Sequence, residues 1–113
     1  MTYRQFAFAA SEVGAYSDRD AYVSDLALSS AFADCGDDAS AALIADLVKI
    51  WDASHMSIRD LRALTGLSQV RFAERFLIPR RTLENWESGT AECPVYTRMM
   101  LADILGCLPE RSN

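Results

Sequence analysis

Apolar residues recur three and four positions apart along most of the chain, and no segment alternates Val, Ile and Thr as a half-buried strand would. The clearest case is SAALIADLVKIWDASHM, residues 40–56, where Leu43, Ile44, Leu47, Val48, Ile50 and Trp51 form a wide apolar stripe on a predicted helix. Upstream, residues 3–15 carry Tyr3, Phe6, Phe8 and Val13. Helix and strand both fit this stretch, and its alanines favour helix. Ser17 or Asp18 can cap a helix over 19–33 with Tyr22, Val23, Leu26 and Phe32 on its apolar side. CGDD at 35–38 ends that helix, with Gly36 as the stop and Asp37 and Asp38 opening the next element.

The second half reads as four short helices. Ser57 caps the first, with Asp60 three residues on in a capping-box arrangement. SIRDLRALTG sets Ile58, Leu61 and Leu64 on one face, and Gly66 ends it. Ser68 caps QVRFAERF, with Phe72, Ala73 and Phe76 directed inward. Pro79 opens the first turn of RRTLENWES, where its missing N–H costs nothing; Leu83 and Trp86 are its core residues and Gly89 its end. After TAEC and Pro94 a last helix carries Val95, Met99, Ala102, Leu105 and Leu108 along one side. Met99, Met100, Leu101, Ile104, Leu105 and Leu108 together exceed what one helix face needs for a single core. The expected fold class is all-α.

Composition changes this picture little. In 113 residues, 50% are hydrophobic and 24% charged, which is globular rather than disordered and enough for one compact domain or a small domain with an extension. No apolar run approaches the ~20 residues of a membrane span. MTYRQFAFAASEVGAY lacks the basic start and long apolar core of a signal peptide, so a cytoplasmic protein without a membrane partner is expected. Cys35, Cys93 and Cys107 are too few and too scattered for a disulfide framework, and they read as reduced structural thiols. His55 has no Cys or His at ligand spacing, so neither metal nor cofactor is expected, and Trp51 and His55 are assigned to packing. Asp34, Asp37 and Asp38 read as caps and solubilising charges. Without a Ser-His-Asp or Cys-His arrangement or a phosphate-binding glycine loop, no enzyme is expected.

Charge divides the chain. The total is −5, but residues 1–56 hold Arg4, Arg19 and Lys49 against nine acids, a net of −6. Residues 57–113 hold eight arginines against seven acids, a net of +1. Between Arg59 and Arg81 six arginines meet only Asp60 and Glu74. An acidic total argues against non-specific nucleic-acid binding, whereas a basic island on an acidic chain does not exclude specific binding. Two parts are expected: an acidic helical extension, 1–56, and a second domain, 57–113.

Within that second part, LSQVRFAERFLIPRRTLENWESG resembles the helix-turn-helix of the lambda-repressor/Cro (XRE-like) domain over about residues 57–106. Matching features are Ser68-Gln69 at the first motif helix, small Ala73 at the crossing, Ile78 after the turn, Leu83 in the second helix, and Trp86-Glu87-Ser88-Gly89 at its close. The resemblance implies a lambda-repressor-like helix-turn-helix bundle with an N-terminal helical extension. It also implies sequence-specific binding to double-stranded DNA by a small prokaryotic or phage transcriptional regulator, such as a repressor, with a recognition helix at about 79–88. Arg80, Arg81 and Asn85 match the positions that contact bases in that family, and Ser68, Gln69, Pro79, Thr82 and Glu84 complete the expected DNA-binding set. Their chemistry suits contact with a duplex, since arginine pairs bidentately with guanine, asparagine with adenine, and amide donors at a helix N-terminus meet phosphate. Two departures stand out. Leu77 occupies a turn position that is usually glycine, and a left-handed leucine there would cost roughly 1 kcal/mol, which leaves the shape of the turn open. Thr90-Ala91-Glu92-Cys93 also lacks the basic residue that the family's loop presents to phosphate.

One such motif touches few base pairs, so a homodimer reading two half-sites is expected. The acidic half completes the core of a small domain or, in an antitoxin-type or adaptor protein, binds a protein partner.

Overall fold

The computed structural model of the chain describes residues 1–34 and 40–113. Among them the structure is all-α, with no strand beyond one isolated bridge. Its residues fall into two compact units: 1–54 together with 107–113, and 55–106. The expected helix stop at Gly36 and the aspartates 37 and 38 lie outside the described residues.

In the first unit, α1 (Tyr3–Glu12) begins with a reciprocal capping box: the Gln5 amide N–H donates to Thr2 Oγ1 at 3.0 Å, and the Thr2 N–H donates to Gln5 Oε1 at 2.8 Å. Gln5 is buried, so its remaining donor must be used. Its Nε2 donates to the Ala31 carbonyl at 3.1 Å and to Asp34 Oδ1 at 2.9 Å. A single 3₁₀ turn (Val13–Ala15) leads to α2 (Arg19–Ala27), capped by Asp18, whose carboxylate accepts the Ala21 N–H at 3.1 Å. α2 is shorter than the predicted 19–33. It ends at Ala27, and a 3₁₀ turn at Ser30–Phe32 carries Phe32 into the core while Leu28 stays outside.

α3 (Ser40–Ser54) supplies Leu43, Leu47, Ile50 and Trp51 to a core shared with Ala9, Tyr22, Val23, Leu26 and Phe32. Ile44, predicted in that stripe, is exposed. Tyr22 stands at the centre. Its ring lies 5.7 Å from Tyr16 and 5.2 Å from Trp51, and its hydroxyl donates to the Ala9 carbonyl at 2.7 Å. Burial pushes its phenol well above the usual range. Residues 107–113, grouped on sequence with the second part, fold against the first. Leu108 and Pro109 are buried, Tyr3 N–H donates to the Ser112 carbonyl at 3.1 Å, Ser112 N–H donates to the Met1 carbonyl at 3.0 Å, and the Arg111 guanidinium lies 4.6 Å over Phe6.

The second unit contains α4 (Ile58–Thr65), α5 (Gln69–Phe76), α6 (Arg80–Ser88) and α7 (Val95–Ile104). Its buried residues include Ile58, Leu61, Phe72, Ala73, Leu83, Leu101 and Ala102. The Ser57–Asp60 capping box is complete, Ser68 Oγ accepts the Arg71 N–H at 3.2 Å, and Gly66 and Gly89 close α4 and α6 in the left-handed region. Two expectations are corrected. Trp86 is half-buried rather than core, because the inner line of α6 runs through Leu83 toward Glu87. On α7 the buried residues are Leu101 and Ala102. Val95 is exposed, Met99 and Leu105 are half-buried, and Leu108 belongs to the first unit.

The connection between α5 and α6 is Leu77, Ile78 and Pro79. Leu77 adopts φ 56°, ψ 35°, the left-handed conformation. Its N–H meets the carbonyls of Ala73 and Glu74, and the Ile78 N–H donates to the Ala73 carbonyl at 3.0 Å, so the last turn of α5 is closed with its carbonyls satisfied. The Leu77 side chain is 89% exposed and contributes nothing to the core. Leu77→Gly should therefore raise stability by up to about 1 kcal/mol, net of the entropy glycine adds to the unfolded chain. Urea titration checks this, and a loss above about 1 kcal/mol would contradict it.

Candidate nucleic-acid interface

The inner side of α6 is anchored by a buried carboxylate. Glu87 lies four residues after Leu83, hence on the same face, and its side chain is only 1% exposed. An isolated carboxylate there would be costly. Arg62 of α4 answers it with a two-pronged contact, Nε to Oε2 and Nη2 to Oε1, each 2.8 Å, and Arg59 Nε approaches to 3.5 Å. The remaining Arg62 nitrogen, Nη1, donates to the Leu67 carbonyl at 3.1 Å in the α4–α5 connection. Gln69, at the start of α5, adds a smaller stabilising influence on the Glu87 carboxylate. The Arg62 contact, aided by Gln69 and Arg59, holds the Glu87 carboxyl below its ordinary value despite burial. The Arg62–Glu87 pair thus ties α4, the α4–α5 connection and the end of α6 together.

Sequence reasoning missed this role of Glu87. The signal was present as an acid at the inward position of α6, where the apolar pattern pointed to Trp86 instead. Gln69, expected at a phosphate, is half-buried. Of the six arginines between 59 and 81, Arg62 is turned inward onto Glu87 and Arg59 leans on it. Arg71, Arg75, Arg80 and Arg81 are exposed.

The outward side of α6 presents Arg81 and Ser88 fully, with Glu84 and Asn85 half-exposed beside them. Arg80 lies at the margin and reaches along the helix, its Nε 3.0 Å from Glu84 Oε1. Thr82 is half-buried. Pro79 precedes the helix instead of opening its first turn. It is the N-cap, extended at φ −55° and ψ 131°, and its carbonyl accepts the Leu83 N–H at 3.1 Å. Proline offers no side-chain acceptor, so the first-turn N–H groups of α6 meet no side-chain cap. Ser68 is exposed and occupied in capping α5. After α6, the Ala91 N–H donates to the Asn85 carbonyl at 3.1 Å and Cys93 turns inward, leaving a loop without a cation. The exposed side chains of this face therefore combine bidentate donors (Arg80, Arg81), a donor–acceptor amide (Asn85) and one acceptor carboxylate (Glu84).

Removing one partner of a buried ion pair strands the other. Arg62 keeps some access to water, so Glu87→Gln should cost about 2–3 kcal/mol, toward the low end for such pairs. Because the folded-state pKa of Glu87 is depressed, its contribution is present above its ordinary value near 4.5 and is lost as pH falls below it. The stability difference between wild type and Glu87→Gln should stay constant from pH 7 to about 5 and shrink on further acidification. Thermal melts of both proteins across that range measure it, and a difference that widens toward low pH would contradict the assignment.

No family model matches the chain, and neither a curated protein nor a solved structure matches it, so what this face does is read from its own side chains.

Proposed function

We propose that the protein is a sequence-specific DNA-binding regulator of the lambda-repressor/Cro-like, helix-turn-helix kind. In this reading α5 and α6 form the motif, α6 lies in the major groove of duplex DNA, and the protein carries out no reaction. The observation that carries it is the two-sidedness of α6: an inner side fixed by Leu83 and Glu87, and an outer side bearing Arg80, Arg81, Glu84 and Asn85. Base readout needs directional side chains on a helix that cannot rotate, and both conditions are met. Arg81 and Asn85 read base edges. Arg71, exposed in the first turn of α5, contacts phosphate, as do the uncapped first-turn N–H groups of α6. A regulator of this size acts as a homodimer on two half-sites.

A second reading has one observation in its favour. The loop 90–93 carries no basic residue, and Arg80 shares its charge with Glu84, so phosphate contacts are few. An adaptor or antitoxin-type protein that binds a protein through its acidic N-terminal unit would have the same features.

The test is selection of bound sequences from a random duplex pool at low salt, followed by affinity measurements over a salt series. An enriched motif is expected. Arg81→Ala and Asn85→Ala should each cost about 1–3 kcal/mol on the enriched site and much less on random duplex. Arg71→Ala should weaken both equally and lower the salt slope by about 1 per copy. Absence of any binding at low salt would remove the DNA reading and leave the protein-partner one.

A further inference from the structure

In the first unit a cavity of about 610 Å³ opens between the start of α1 and residues 30–34. Its volume lies within the roughly 300–1,000 Å³ of small-molecule sites. Arg4 and Phe8, four residues apart and hence on one face of α1, line one wall, and Ala31, Ala33 and Asp34 line the other. The Phe8 ring is backed by the buried Phe32, 6.4 Å away, so the apolar lining rests on the core. Gln5 joins the two walls. Its Oε1 accepts the Thr2 N–H on the α1 side, and its Nε2 donates to the Ala31 carbonyl and to Asp34 Oδ1 on the other. The buried amide thereby fixes the position of the Asp34 carboxylate, and a carboxylate has acceptor capacity beyond one such bond. Arg4, across the cavity, is exposed and forms no ion pair among the described residues. One cavity thus carries a positive charge, a negative charge and an apolar lining.

We propose that this cavity binds a small zwitterion with an apolar body, the chemistry of a free amino acid with an apolar or aromatic side chain. The ligand carboxylate meets the Arg4 guanidinium, its ammonium meets the Asp34 carboxylate, and its apolar body lies against Phe8, Ala31 and Ala33. The unlike charges on one lining select this class. A multiply charged anion such as phosphate would set negative charge beside Asp34, a diamine would set positive charge beside Arg4, and an uncharged apolar molecule would leave both groups unused. A zwitterion meets each charge with its opposite and still has an apolar remainder for the floor. Arg4 and Asp34 are exposed, so water weakens each ion pair, and a ligand of about 12 heavy atoms reaches a dissociation constant on the order of 1 mM. The inference concerns the first unit, goes beyond the proposed function and needs none of its DNA chemistry.

Titration of the isotopically labelled full chain with L-phenylalanine, to about 20 mM and followed by NMR, tests it. The Gln5 side-chain amide and the backbone amides of Ala31 and Ala33 should shift and saturate. 3-Phenylpropionate, which lacks the ammonium, and L-phenylalaninamide, which lacks the carboxylate, should each bind about 5-fold more weakly or worse. Arg4→Gln should abolish the preference for phenylalanine over phenylalaninamide and keep that over phenylpropionate, and Asp34→Asn should do the reverse. Asparagine keeps an acceptor for Gln5, and Arg4 is exposed, so unchanged circular dichroism is expected for both variants. Should Asp34→Asn loosen the unit, the Arg4→Gln comparison decides alone. Absence of a saturable shift at these amides, either analogue binding as tightly as phenylalanine, or an Arg4→Gln protein with the wild-type preferences would each overturn the inference. Its failure and that of the DNA reading are separate results: saturable shifts in a chain that selects no duplex leave this inference standing and end the other, and duplex selection by a chain whose amides do not move does the reverse.

Discussion

A carboxylate taken out of water must find partners, and Glu87 finds them on α4. Arg62 meets it with two parallel N–H donors, and Arg59 adds charge from the same helix. Apolar residues in place of both Glu87 and Arg62 would hold the unit together about as firmly, because the desolvation cost of a buried pair offsets much of its attraction. What an apolar contact lacks is direction. A guanidinium fork meets a carboxylate in one plane, so the rotation of α6 about its own axis is set relative to α4, and the Leu67 contact sets the connection between α4 and α5 at the same time. Every side chain on the outer side of α6 inherits its orientation from that pair.

The first unit solves a different problem with different means. It is acidic and small, and its core is organised around aromatic rings, with Tyr22 between Tyr16 and Trp51 and its hydroxyl satisfied by Ala9. The two ends of the chain close this unit. Thr2 and Ser112 form a bridge, and Arg111 covers Phe6 and Tyr3. Holding both termini costs conformational entropy, which the burial of Leu108 and Pro109 offsets.

The helices of the second unit were legible because their ends are marked by residues with one clear use: Ser57 and Ser68 as acceptors for first-turn N–H groups, Gly66 and Gly89 as left-handed stops. Leu77 was half-legible. Its position in the turn calls for a left-handed residue, and its identity argues against one. The hydrogen bonds onto Ala73 and Glu74 decide between them, because satisfying helix carbonyls outweighs a strain of about 1 kcal/mol. Three features escaped sequence reading for separate reasons. Glu87 is a charged residue on an inward line, which an apolar pattern cannot reveal until its partner on another helix is known. Residues 107–113 have no periodicity at all. The end of α2 at Ala27 falls where apolar residues continue, so apolar spacing does not register it. Of the proposed site, the outward placement of Arg81 and Asn85 on α6 was legible, whereas the half-burial of Gln69 was not.

On the DNA-binding reading, the charge distribution carries a further consequence. Arg80 is partly neutralised by Glu84 one turn on, the loop after α6 has no cation, and the whole chain is acidic at −5. Phosphate attraction is then weak, and beyond roughly 8 Å in physiological salt the acidic charges are screened rather than repelling. Affinity for arbitrary sequence falls more than affinity for the correct one, because base contacts by Arg81 and Asn85 are short-range and indifferent to distant charge. Glu84 sharpens this difference, since a carboxylate in the groove is favourable only beside a donor such as the cytosine amino group. A protein built this way gives up strength of binding and keeps discrimination, and it regains strength by presenting two copies of α6 at once.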